Sequence, residues 1–136
     1  VRQPLRDRFD QLLEEVIDSL PAPLRALLDE VPVVVEDLPS TQVLRELAMH
    51  DDEARDLCGL HTGTAFTDRS VEGLDLPSEI QLYREGIVEH AGGWGASPDP
   101  QDPDAHVRKE IRVTLLHEIG HQFGLDEDDL DKLGYA

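Results

Sequence analysis

One cysteine, one methionine, one tryptophan and a 4% share of aromatics leave this 136-residue chain poor in the residues that staple or weight a core. The lone Cys58 excludes an internal disulfide. No run approaches the roughly 20 apolar residues of a membrane-spanning helix, and no signal-peptide pattern is visible. The expectation is a cytoplasmic protein with no membrane contact. Basic residues are scarce as well: twelve Lys and Arg face thirty Asp and Glu, a formal net charge of −18. That field repels phosphate backbones, so nucleic acid is not expected as a partner. It serves either plain solubility or the attraction of a basic partner.

What is present is aliphatic, with 39% hydrophobic residues in a length that suits a single domain over residues 1–136. Leu5, Phe9, Leu12, Leu13, Val16, Ile17 and Leu20 recur at offsets of three and four. This spacing predicts an amphipathic helix over 4–20, ended by Pro21 and Pro23. Leu24, Leu27 and Leu28 suggest a short second helix, and the β-branched run Val33 to Val35 predicts a strand over 31–36. Ser40 or Thr41 is placed to cap a helix reaching Met49, with Val43, Leu44 and Leu47 turned inward. An acidic break over 50–56 follows, then a largely irregular stretch over 57–78 with an extended piece near Leu60.

Ile80 and Leu82 alternate with polar neighbours and predict a strand over 79–84, which Ile87 to His90 would extend or pair with. Glycines and prolines over 92–103 read as a long loop, with Trp94 as its packing anchor. Asp104 then starts a helix with Val107, Ile111, Leu115, Leu116, Ile119 and Phe123 on its apolar side. Gly124 is its natural stop, and a last short helix covers about 127–133. The expected architecture is a compact α+β domain, with a small twisted sheet packed on helices.

Late in that long helix stands His117-Glu118-Ile119-Gly120-His121. Histidines four apart share one helix face, so both imidazoles can reach a single Zn2+. Glu118 beside them is placed to take a proton from a metal-held water and pass it to a leaving amine. The expected chemistry is zinc-dependent hydrolysis of a peptide or amide bond.

The longer run His117 to Glu127 resembles the HExxHxxGxxH/D pattern of the metzincin clan of zincin metallopeptidases. The resemblance implies a helix break at Gly124 and a third zinc ligand three residues later, at Glu127. Metzincins carry His or Asp there. A closer likeness is to a small zincin-like family of minimal metallopeptidase domains. It rests on Val33-Val34-Val35-Glu36-Asp37, Gly59-Leu60 with Gly63, Thr67-Asp68-Arg69-Ser70, Leu76-Pro77, Ile80-Gln81-Leu82-Tyr83-Arg84 and the terminal motif with Leu130. It implies a minimal zincin-like fold over most of 5–135.

Two metzincin features are absent. The one methionine, Met49, precedes the motif, and only fifteen residues follow His121. The motif therefore supports zinc more firmly than it supports proteolysis, and a degenerate, non-catalytic metal-binding or protein-interaction domain is the alternative.

The acidic run after Gly124 has a second explanation. Asp126 with Asp129 fits a capping box, and Leu125 with Leu130 a hydrophobic staple. Glu127, Asp128 and Asp126 all stay open as the third ligand. His50, His61, His90 and His106 read as surface residues. Cys58 has no electropositive pocket to make it a nucleophile. The strand ending at Tyr83 and Arg84, if it edges the cleft, could receive a peptide by strand addition. Arg69 or Arg84 is a candidate for oxyanion contact, with a surface salt bridge as the preferred reading.

Overall fold

The computed structural model describes residues 3–62 and 79–132. The family-like segments at Gly63, Thr67 to Ser70 and Leu76-Pro77 lie outside the described residues, as do Arg69, Leu133 and the His61 side chain. The first helix, α1 (Gln3–Ser19), buries Phe9, Leu12, Leu13 and Val16. After Pro21, α2 (Ala22–Leu27) buries Leu24, and β1 (Val33–Glu36) follows. Next comes α3 (Thr41–Glu46), capped by Ser40, whose side chain accepts a hydrogen bond from the Val43 amide at 3.1 Å.

This helix stops short of Met49. Ala48 turns left-handed at φ 55°, and the Met49 amide donates to the Leu44 carbonyl at 2.8 Å in a Schellman-type closure. That early turn leaves Leu47 39% exposed rather than inward, while Leu44 is buried as expected. A 3-10 turn (Asp51–Asp56) leads into β2 (Gly59–Thr62), where the sequence showed only an extended piece.

Then β3 (Glu79–Tyr83) enters the sheet between the other two strands. It runs parallel to β1, with Val33 opposite Ile80 and Val35 opposite Leu82. It runs antiparallel to β2, with Gly59 opposite Leu82 and Thr62 opposite Glu79. The pleat sends Ile80 and Leu82 into the core, both with 0% exposure.

Ile87 to His90 neither extends β3 nor pairs with it. Residues Arg84–His90 form a helix, α4, which buries Gly86 and Ile87. A side chain at Gly86 would put its Cβ 2.0 Å from the Leu57 carbonyl oxygen. The glycine lowers helix propensity, but it lets α4 lie against the chain entering β2. Tertiary contact outweighed the short apolar pair that had suggested a strand.

The longest helix, α5 (Ala105–Phe123), touches α1, α4, β2 and β3 and forms the centre of the molecule. Val107, Ile111, Leu115, Leu116 and Ile119 are all buried on it, each worth roughly 1.5–3 kcal/mol when removed from water. The last helix is α6 (Glu127–Lys132). Three strands with helices packed on them make the α+β fold that the alternating patterns implied. Among the described residues, no helix is long and apolar enough to cross a membrane.

Candidate metal centre

The motif occupies the last turns of α5, and its three side chains divide by exposure. His117 and His121 are exposed, whereas Glu118 retains only 8% of its surface. Helical spacing explains the split: positions four apart share a face, and the next residue is turned by about 100° toward the sheet. There Gly59 of β2 meets the helix. A Cβ on Gly59 would lie 2.9 Å from Thr114 Cγ2 and 3.2 Å from Glu118 Cγ. Only a residue without a side chain lets this strand approach so closely.

Thr114, Glu118 and Gln122 are all buried at offsets of four, making a polar stripe along an otherwise apolar interface. The signal is present in the sequence itself. Polar residues at i, i+4 and i+8 between aliphatic rows mark a helix face directed at something other than plain core.

Beyond the motif, the chain reverses at Gly124, which is left-handed at φ 66° and ψ 33°. The Leu125 amide donates to the Gly120 carbonyl at 2.7 Å, closing the helix. Gly120, inside the motif, is the surface on which the returning chain rests. A Cβ there would lie 2.9 Å from the Leu125 carbonyl oxygen and 3.9 Å from Leu130 Cδ1.

The capping expectation for the acidic run is met on both sides. The Asp129 amide donates to Asp126 Oδ1 at 2.8 Å, and the Asp126 amide donates to Asp129 Oδ2 at 3.0 Å. Those two carboxylates hold the start of α6, which leaves Glu127 and Asp128 outside the cap. Glu127 lines a cavity of about 210 Å³ together with His117. Among the described residues, no three His, Cys, Asp or Glu side chains converge closely enough to hold a metal together.

The remaining titratable groups stand apart from the motif or support the frame. Tyr83 is 1% exposed and donates to Gln81 Oε1, whose amide in turn donates to Glu79 at 2.6 Å. Burial, with the charges of Glu79, Glu36 and Glu118, pushes its phenol up to about 12. Cys58 Sγ lies 3.2 Å from His90 Nδ1. Burial and the charge of Glu110 push the thiol up to about 11, against a lowering hydrogen bond from Thr114. It is a poor nucleophile at neutral pH. His50, His90 and His106 are exposed, as expected of surface residues.

Arg84 is more than a surface ion pair. At 13% side-chain exposure it donates to Asp10 at 2.9 and 3.0 Å and to Asp37 at 2.9 Å. Those bonds engage it away from any role at an oxyanion. β3, which ends at Tyr83, is the middle strand and cannot receive a peptide by strand addition. Among the described residues, β2 is the sheet edge beside Glu118. Trp94 anchors its loop, with the Arg8 guanidinium 4.6 Å above its ring.

A profile of zincin-like metallopeptidases matches residues 28–135, well over half of the chain. The chain belongs to the zincin-like metallopeptidase family. No curated protein matches it. Zinc dependence accompanies the zincin-like family in general. The donor chemistry of this member is compatible with that metal: two imidazoles on one helix face and an exposed carboxylate beside the first suit Zn2+ in ligand type.

Proposed function

We propose that this zincin-like domain is a zinc-dependent metallopeptidase that hydrolyses a peptide or amide bond. His117, His121 and Glu127 hold the metal, and Glu118 is the general base. The observation that carries the reading is the division of labour on α5, two exposed imidazoles one turn apart with a sheltered carboxylate between them.

When bound, Zn2+ supplies Lewis acidity that polarises the carbonyl under attack and lowers the pKa of a water molecule toward 7. His117 and His121 would bind it through their ring nitrogens from one face of α5. Glu118 takes the proton of the attacking water on a carboxylate oxygen and returns it to the departing nitrogen. The packing of Gly59 against Glu118 limits the rotamers open to that carboxylate. A peptide or protein substrate fits the charge of the chain better than nucleic acid does.

Purified protein is expected to carry about one zinc per chain, and Glu118→Ala to keep the zinc while turnover falls at least about 100-fold. Turnover that survives this change removes Glu118 as the base. A second reading, a degenerate zincin-like domain that binds metal or a partner without catalysis, draws support from the lack of three converging donors among the described residues. It predicts that stripping zinc lowers the melting temperature while the wild-type protein cleaves no member of a peptide library.

A further inference from the structure

We propose that the cavity between α5 and α6 receives the side chain of a lysine or arginine, which makes basic peptides the substrate class. This rests on the reading of the motif as the reaction centre. The cavity, about 210 Å³, is lined by Val113, Leu116, His117, Glu127, Leu130 and Asp131. Its volume suits one amino-acid side chain and falls below the roughly 300 Å³ at which small-molecule pockets begin.

The lining is divided in the way an aliphatic cation is. Val113, Leu116 and Leu130 form an apolar floor, with Leu116 and Leu130 buried at 2% and 5% exposure. Glu127 and Asp131 stand at the rim, exposed and one turn apart on α6. None of the ion pairs among the described residues involves either one.

A lysine or arginine stem buries against the three aliphatic side chains and leaves its head at the rim. With Glu127 engaged by the metal, Asp131 remains for the incoming cation. Because His117 forms one wall, the accepted residue stands close to the bond under attack. The net charge of −18 draws such peptides toward the molecule.

The test compares N-acetyl-arginine amide with N-acetyl-citrulline amide, its uncharged isostere, by methyl NMR titration of the zinc-loaded full chain. Expected are shifts at the Val113, Leu116 and Leu130 methyls and about tenfold tighter binding of the arginine compound. Asp131→Asn, at an exposed position that spares the core, is expected to abolish that preference. Equal affinities, shifts confined to other parts of the molecule, or a preference untouched by Asp131→Asn would overturn the assignment. Probe binding needs no turnover, so the loss of activity in Glu118→Ala judges the reaction and leaves this measurement independent of it.

Discussion

At the N-terminal end of α5, Arg8 reaches Asp104, while Arg108 donates to Asp102 at 2.9 Å and to Glu15 at 3.4 Å. At the C-terminal end, about 27 Å along the helix, Glu127, Asp128 and Asp131 have no such partner among the described residues. The same contrast extends outward. Arg6 and Arg84 converge on Asp37, and Arg84 also holds Asp10, so the α1 side of the molecule is cross-linked by charge.

A chain with twelve basic residues cannot neutralise thirty acidic ones, and where it places the twelve decides where negative potential remains. Among the described residues, part of it remains near the two exposed histidines, at Glu127, Asp128 and Asp131. The ion-paired end is framework, and the uncompensated end is where a cation would be stabilised by the surrounding field.

Substitutions at the two ends should therefore fail in different ways. The largest effect belongs to the motif: His117→Ala is expected to weaken zinc binding by more than about 100-fold, with the fold retained because the residue is exposed. Zinc titration and circular dichroism check the two halves, and full zinc affinity in the variant breaks the contrast. Gly120→Ala comes next. Its Cβ meets the Leu125 carbonyl oxygen, so a loss of about 2 kcal/mol is expected in chemical denaturation, with α6 displaced and zinc affinity falling alongside.

At the other end, Asp37→Asn should cost about 2 kcal/mol and leave zinc affinity unchanged. Burial raises the Asp37 carboxyl, but hydrogen bonds and charge from Arg6 and Arg84 outweigh it and hold the group below its ordinary value. Because the folded value is the lower one, this stabilisation is present above the ordinary carboxyl range. It is lost as the pH falls through the depressed folded value. Acid melts of wild type should show that loss and those of Asp37→Asn should not. A zinc affinity that moves with Asp37 would show the two ends to be coupled. The smallest effect, about 1 kcal/mol, is expected for Asp126→Ala, which removes one half of the α6 capping box.

Much of this was legible in advance because it is local. The periodicity of α1, the β-branched run of β1, the Gly124 stop and the Asp126–Asp129 capping box all depend on neighbours within a turn or two. The motif was equally plain, since two histidines four apart lie on one face of any helix. The misreadings have a common cause. Ile87-Val88 is too short to distinguish strand from helix, and the contact of Gly86 with Leu57 decided it. Leu47 looked inward until Ala48 ended α3 early. β3 reads as a possible edge strand on its own pattern, because pairing order is not written in any single strand.

The sequence by itself determined the donor types at the motif, their spacing on α5 and the excess of negative charge around them, because these follow from covalent order and helix geometry. The tertiary structure alone decided that Gly59 brings β2 against Glu118 and that Gly120 seats the returning chain. It also decided that arginines distant in sequence gather at the far end of α5. Apart from the Gly120 seat, which meets Leu125 and Leu130, those contacts join segments tens of residues apart and are fixed by packing and pairing that no local pattern encodes.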